Sequence, residues 1–548
     1  MLLPERLPAL RRGALQAWAG LPYERLCAEI LALFACGDGR GALPRRELDA
    51  AVSAALGGGA FAVDGAVRMR PVAPPQLDGD ASTPRVHSTV HVLELFHGPT
   101  AAFKDLGLQV LARLLEMILR GRQRHLTVLV GTSGDTGSAA MEALAGLANV
   151  DCVVLYPVGR TSRVQESQML AAAGREDAAN LSLVAVEGTS DELDVPIKAL
   201  FDDPEFRRVH DLGSVNSVNI VRLVVQTVHF FWAYLQLCPK ADTEATFYIP
   251  TGACGHLVAG VMARRMGLPV RLQACVNAND CLVRLVERGE IAPAARTVPT
   301  VAPAMDIASP YNLERLLWYA CGGDGTAVAR WAAAQAAGGV TTLPAAVVGE
   351  LHDALGVGAA SVRDPDALSA MAYVATHERG YLVCPHTAVG LAVTARHRPR
   401  NGGPRIVCAT ASPAKFVEAL AGATDATYTA TAARLEGYGS ANESAAAALH
   451  NAQRGAELPV PPGGVRRWLR NPATRLCAGD DWERVLRGIV SGARSRSLAR
   501  KNKGNKGAVT ASSSKGRSTT RAGRSPMRAL ALLAALAAAA VAAARQRR

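Results

Sequence analysis

Apolar positions fall along the chain in short continuous runs, each followed by a break of small residues and then by a stretch with helical spacing. Val92, Leu93 and Leu95 predict a strand, Gly98 and Pro99 the break, and Leu106 to Leu119 an amphipathic helix. Thr127-Val128-Leu129-Val130 predicts a second buried strand, which leads into the turn Gly131-Thr132-Ser133-Gly134-Asp135-Thr136-Gly137-Ser138 and an Ala-rich helix from Ala139 to Leu147. Phe247-Tyr248-Ile249-Pro250 predicts a third, followed by Thr251-Gly252-Ala253-Cys254-Gly255-His256 and a helix from Leu257 to Met266 that Gly267-Leu268-Pro269 stops. Helices alternating with short Val- and Leu-rich strands predict parallel sheets in an α/β fold.

The chemistry is expected at the breaks. Lys104 falls at the N-terminus of the first helix, where the partial positive charge of the helix end and burial beside Phe103 both disfavour the ammonium form. A neutral amine there can form a Schiff base with an aldehyde cofactor. A solvated first-turn lysine is the plainer reading of that segment alone. The second turn points backbone N–H groups and hydroxyls at an anion, either phosphate or carboxylate, and the third suits a phosphate cup. Glycines that only tighten a strand-to-helix corner are the alternative for both.

Taken in order, FHGPTAAFKD (Phe96 to Asp105), GTSGDTG, the Asn216-Ser217-Val218-Asn219 segment with Arg222, PTGACGHLVAG, Ala304-Met305-Asp306, Pro385-His386-Thr387-Ala388-Val389 and Thr410-Ala411-Ser412-Pro413-Ala414-Lys415-Phe416 resemble the threonine synthase family. These are pyridoxal-phosphate enzymes of fold type II, the tryptophan synthase β-subunit type, and the resemblance runs from about Leu7 to Gly488. It implies open parallel sheets in a large and a small domain, with pyridoxal 5′-phosphate as cofactor. Lys104 would carry the cofactor and act as catalytic base, while Gly252, Ala253, Cys254, Gly255 and His256 would form the cup for its phosphate. Thr410 would face the pyridine nitrogen, and Thr132, Ser133, Gly134, Asp135 and Thr136 would hold the substrate. A hydroxyl beside the ring nitrogen leaves it unprotonated, so carbanion charge spreads through the ring less fully than it would beside a carboxylate.

The implied substrate is O-phosphohomoserine or a related O-phospho amino acid, which loses phosphate. Addition of water at Cβ then gives L-threonine, whereas release as an enamine gives 2-oxobutyrate and ammonia. Microbial and plant members usually carry Asn and an aromatic residue in the cup, as in GNFGN or GNFGD, where this chain has Ala253, Cys254 and His256. The Ala-for-Asn change resembles the animal threonine synthase-like 2 group, whose cup reads GAAGN and whose members are phospho-lyases. The stretches Val186 to Asp194, Gln273 to Asp280 and Asp480-Asp481-Trp482 are similar to that group as well. The expected activity is therefore that of a carbon-oxygen lyase acting on phosphates, with threonine synthase as the alternative. His256 reads as a first-turn helix histidine, with contact to the cofactor phosphate as the other reading, and Cys254 as a space-filler. Family members begin with a strand and a Ser-Thr-Arg-Gly type segment that this chain does not show before Leu7. With the altered cup and a basic tail, that leaves a catalytically inactive binding protein as a reading of another class.

Composition refines the picture. A chain of 548 residues, 49% of them apolar, exceeds what one core usually organises. The expected division is a helical segment over 1–80, a catalytic region over 81–490 with a small subdomain at about 127–215, and a basic tail over 491–548. Eleven cysteines without a C-x-x-C pair, and no signal-peptide pattern at Met1, predict a reduced, cytoplasmic protein without a disulfide framework or metal site. Of twelve histidines none forms H-E-x-x-H, and His97 and His386 fall inside the family motifs, in packing or substrate-pocket positions.

Sixteen Lys or Arg and no Asp or Glu lie from Arg484 onward, so the formal net charge of +13 becomes −3 for the residues before it. Ser495 to Ser525 is too poor in large apolar residues to order and is expected to be disordered. Its charge suits nucleic acid or an anionic membrane surface, but it has no aromatic residue for base stacking, so no specific nucleic-acid readout is expected. Ala529 to Ala544 is apolar for sixteen residues, short of the roughly twenty that span a bilayer. A marginal membrane anchor, an Ala-rich helix in water and sequence foreign to the natural protein remain open for it. The partners expected are a small phosphorylated amino acid and a second copy of the chain in a homodimer.

Overall fold

The computed structural model describes residues 3–416 apart from 5, 38–41, 76–88, 191, 293–296, 398, 400 and 401, together with 419, 474–476 and 481–509. Strands Val90–Glu94, Ala245–Pro250 and Arg405–Ala409 are buried along almost their whole length, a pattern that suits the middle of a sheet covered on both faces. They form the centre of a six-stranded sheet in the order Arg68–Val72, Val90–Glu94, Arg405–Ala409, Ala245–Pro250, Val270–Val276, Val357–Ser361. Only the first pair is antiparallel, and its outer strand, as an edge, tolerates Pro71. A second sheet has five parallel strands in the order Thr474–Leu476, Leu181–Val186, Val150–Pro157, Leu126–Gly131, Leu212–Gly213.

Helix boundaries follow from local backbone conformation. The first predicted helix runs Lys104–Gly121, two residues beyond the apolar pattern at each end. The Ala-rich helix runs Asp135–Leu144 rather than Ala139 to Leu147, because Gly134 at φ +136° lets the chain enter the helix immediately after the turn. The third runs Gly255–Arg265, preceded by Cys254 in the left-handed region at φ +65°.

Helices Tyr23–Ala35 and Arg45–Leu56 bury Leu26, Ile30, Leu31, Leu48 and Val52 in the same apolar cluster as helix Ile220–Leu237. That last helix is long and apolar enough to cross a membrane by length and composition. Its burial, with Phe230, Phe231 and Tyr234 fully enclosed, makes it a core helix instead.

The C-terminal helix Trp482–Val509 packs Leu486 and Val490 into the cluster beside Val153 and Val184 of the second sheet. Arg487 pairs with Asp203 and Arg494 with Asp211, each at 2.9 Å. Disorder from Ser495, expected from composition, is therefore corrected for the first part of the tail. The buried turns at Leu486, Val490 and Ala493 extend a helix into the Lys- and Arg-rich stretch. The remainder of the tail, including Ala529 to Ala544, lies outside the described residues.

Candidate active site

Four loops meet where the carboxyl ends of parallel strands from both sheets converge, the usual place for a ligand in open α/β sheets. Lys104 follows strand Val90–Glu94, the turn at Ser133 follows Leu126–Gly131, the cup follows Ala245–Pro250, and Thr410 follows Arg405–Ala409. Together they line a cavity of about 100 Å3. Lys104, Ser133, Asp135, Thr136, Gly252, Ala253, Cys254, Gly255, His256 and Thr410 all face it, and so do Arg222, Tyr311 and His386. Thr132 and Gly134 stand behind the turn: the Thr132 hydroxyl accepts the N–H groups of Gly134 and Gly137, both at 2.9 Å.

The loop before Lys104 is folded around a buried carboxylate. Asp105 accepts the Thr100 N–H at 2.9 Å and the Thr100 hydroxyl at 2.7 Å, while burial pushes its carboxyl up to about 6. Phe103 N–H donates to the Thr410 carbonyl at 2.8 Å, which fixes the lysine loop to the adjacent strand end. A Cβ at Gly98 would lie 2.4 Å from Cβ of Asp105. Gly98→Ala is accordingly expected to cost about 1–3 kcal/mol of stability in urea unfolding, since the loop must move to admit the methyl group. A cost within experimental error would show that the loop is not so constrained.

Lys104 Nζ lies 3.4 Å from Asp135 Oδ2 and 4.4 Å above the centre of the Phe103 ring. Burial lowers the amine below its ordinary value; Asp135 opposes this, and the charges of Arg222 and Lys415 add to it. The other oxygen of Asp135 lies 2.7 Å from Lys415 Nζ and accepts from Gln165 Nε2 at 2.9 Å. Burial alone would raise the Asp135 carboxyl, but Lys415 and Lys104 outweigh it and hold the group well below the ordinary carboxylate range. The side chain of Asp135 is thus committed to two lysines. A substrate carboxylate at this turn would be met by backbone N–H groups and not by the Asp135 side chain.

The cup fits an anion. Among the described residues none of the backbone N–H groups from Gly252 to His256 finds a protein acceptor. The Ala253 carbonyl is turned away, accepting from Asn312 Nδ2 at 3.0 Å. The helix starting at Gly255 directs the positive end of its dipole into the same space. A Cβ at Gly252 would lie 2.9 Å from Cα of Met305, so the cup closes tightly against that loop. These residues suit the phosphate of pyridoxal phosphate, with Lys104 in reach of the same cavity.

His256 lies in the first turn of the helix Gly255–Arg265. It is buried, stacked on Phe103 with ring centres 4.8 Å apart, and its Nε2 shares a 2.7 Å hydrogen bond with Nε2 of His229. Burial keeps both rings neutral, lowering His229 to about 3. His97 lies away from the cavity and packs by hydrogen bonding to Glu94 at 2.9 Å. His386 lies within the cavity wall, its Nε2 accepting the Ala304 N–H at 3.2 Å.

Arg222 and Lys415 were quoted in the sequence motifs without a role. Arg222 is 2% exposed, donates from Nη1 to the Val215 carbonyl at 3.1 Å, and meets no carboxylate among the described residues. Burial lowers its guanidinium to about 10. The only sequence signal for either residue is its place inside a motif.

Residues 80–343 match the family model described as pyridoxal-phosphate dependent enzyme, and residues 387–454 match that of the threonine synthase C-terminal region. Fold, cavity and match define the class: a pyridoxal-phosphate-dependent enzyme of fold type II. Threonine synthase-like 2 of Homo sapiens is 38% identical over 427 residues, covering 77% of this chain and 83% of that protein. Threonine synthase of Pseudomonas aeruginosa is 35% identical over 424 residues, covering 77% and 84%. The crystal structure of pyridoxal-phosphate-bound threonine synthase from Brucella melitensis aligns with a TM-score of 0.72 at 30% identity, over 90% of this chain and 93% of that one. The chain belongs to the threonine synthase family.

Proposed function

We propose that the chain is a phospho-lyase that acts on O-phosphohomoserine or a related O-phospho amino acid and releases phosphate, 2-oxobutyrate and ammonia. The observation that carries a phosphorylated substrate is Arg222, a buried guanidinium without a carboxylate partner among the described residues, in the cavity that also holds Lys104. An unpaired buried charge is costly, so a site that retains one is suited to a ligand of opposite charge.

When bound, pyridoxal phosphate supplies an aldehyde for the substrate amine and a conjugated ring that spreads the charge left at Cα. Lys104 Nζ, as a neutral amine, takes the proton from Cα. The N–H groups of the turn at Ser133 to Thr136 orient the substrate carboxylate; loss of a proton from Cβ then supplies the electron pair of the Cβ–Cγ double bond as the Cγ–O bond breaks, and Arg222 neutralises the departing phosphate. Thr410, which lines the cavity, would offer the ring nitrogen a hydroxyl in place of a carboxylate and so would leave it unprotonated.

Release in place of water addition is supported by Ala253 in the cup and by the 38% identity to threonine synthase-like 2. Threonine synthase is the second reading, favoured by the 35% identity to the Pseudomonas aeruginosa enzyme. The test is an assay with O-phosphohomoserine and pyridoxal phosphate in which phosphate, 2-oxobutyrate and threonine are followed in one tube. Phosphate with 2-oxobutyrate supports the lyase, phosphate with threonine the synthase, and no phosphate from any O-phospho amino acid overturns both. Ala253→Asn is expected to move the ratio of threonine to 2-oxobutyrate upward. An unchanged ratio would remove the cup from the choice of product.

A further inference from the structure

Two lysines flank one carboxylate at this cavity, and Arg222 faces one of the two amines. Asp135 lies 2.7 Å from Lys415 Nζ but 3.4 Å from Lys104 Nζ, and among the described residues no other carboxylate forms an ion pair with either amine: buried Asp105 acts on Lys415 by charge but is hydrogen-bonded to Thr100 and Ala102 instead. The Lys415 side chain is 2% exposed, and its amine also donates to the Thr100 carbonyl at 2.8 Å, in the loop that leads to Lys104. Gln165 Nε2 donates to the same Asp135 oxygen that Lys415 holds, and Gln168 Nε2 donates to the same Thr100 carbonyl. Lys415 is thus fixed on both sides, whereas Lys104 is 17% exposed toward the cavity and more loosely placed.

We propose that Lys415 is a positioning residue that acts through Asp135: by occupying that carboxylate it keeps the proton off Lys104. The argument is one of charge. A single buried carboxylate can compensate one neighbouring ammonium, and Lys415 Nζ, at 2.7 Å from Asp135 and held by a second acceptor, is the more closely paired with it. Lys104, facing Arg222 as well, is the one that gives its proton up. The other titratable groups around Lys104 are His256 and His386, both kept neutral by burial, so neither competes for the carboxylate. Without Lys415, Asp135 would have Lys104 as its sole cationic partner and would draw a proton onto it. The inference rests on the reading of Lys104 as cofactor lysine and base.

The test uses the holoenzyme and two variants with opposite expected signs. In Lys415→Met the midpoint of the acid limb of kcat should move up by about one unit or more, because a freed carboxylate within hydrogen-bond reach stabilises the Lys104 ammonium. In Asp135→Asn the midpoint should move down, since two cations then face Lys104 with no anion between. A pH titration of the cofactor's visible absorbance, which reports the proton on the lysine nitrogen, should shift in the same two directions without any turnover. Lys415→Arg, which keeps the charge, should leave both midpoints near those of the wild type. A purely structural role for Lys415 would lower activity or cofactor content without moving either midpoint, and that result overturns the inference. If Lys415→Met fails to fold, a midpoint in Asp135→Asn that is unmoved or raised overturns it as well. A wild-type protein that takes up no lysine-bound cofactor would instead overturn the underlying reading together with the inference.

Discussion

Lys104→Ala is expected to lower kcat by at least about three orders of magnitude while the protein remains folded. The substitution removes both the group that holds the cofactor and the amine that takes the Cα proton. Stability should survive, because Asp135 keeps Lys415 at 2.7 Å and Gln165 at 2.9 Å, so the carboxylate is not left bare. The checks are kcat with O-phosphohomoserine, loss of the lysine-bound cofactor's absorbance, and a circular dichroism spectrum like that of the wild type. A loss of only a few-fold would sink the assignment of Lys104.

Arg222→Met should separate binding from folding in the other direction. Truncating one partner of a buried charged contact typically costs about 2–5 kcal/mol in binding, so kcat/KM for the phosphorylated substrate should fall by roughly 30-fold to several thousand-fold. The free protein should be no less stable than the wild type, and methionine should fill the space, because the guanidinium it replaces is buried without a carboxylate among the described residues. Inhibition by inorganic phosphate should weaken in parallel. Unchanged kcat/KM, or a variant that is strongly destabilised, would make Arg222 a structural residue and remove the main support for a phosphorylated substrate.

The parts of the site that depend on local sequence were legible. A lysine at the start of an amphipathic helix, a glycine turn after a buried strand and a second glycine turn before another helix are each written within about a dozen residues. The structure places all three on one cavity. Less legible was what depends on neighbours distant in sequence. The side chain of Asp135, grouped with the substrate-holding turn, is committed to Lys104 and Lys415, and the latter comes from the last of the motifs, Thr410 to Phe416. Arg222 is informative because it lacks a carboxylate partner among the described residues, and no sequence pattern displays an absent neighbour. His256 gave no sign of pairing with His229, since that contact depends on how two helices lie against each other. The Ala-rich helix began earlier than its apolar pattern because one glycine conformation moved the start. The tail misled in a different way: composition weighed its lysines and arginines but not the buried turns just upstream that extend a helix into them.

The outer strand of the second sheet, Thr474–Leu476, pairs with Leu181–Val186, although four strands of the six-stranded sheet are encoded between them. On a ribosome that adds residues one at a time, the strands from Leu126 to Gly213 emerge long before this partner exists. Until it arrives, Leu181–Val186 carries a row of unpaired backbone groups open to any other extended chain. The helix that brings Leu486 and Val490 over the same sheet is made later still. Completion of this sheet is therefore a closing event of synthesis, slow because its contacts are far apart along the chain and exposed to wrong pairing while it waits. A nascent chain that stalls ahead of Thr474 would be left with that row unpaired.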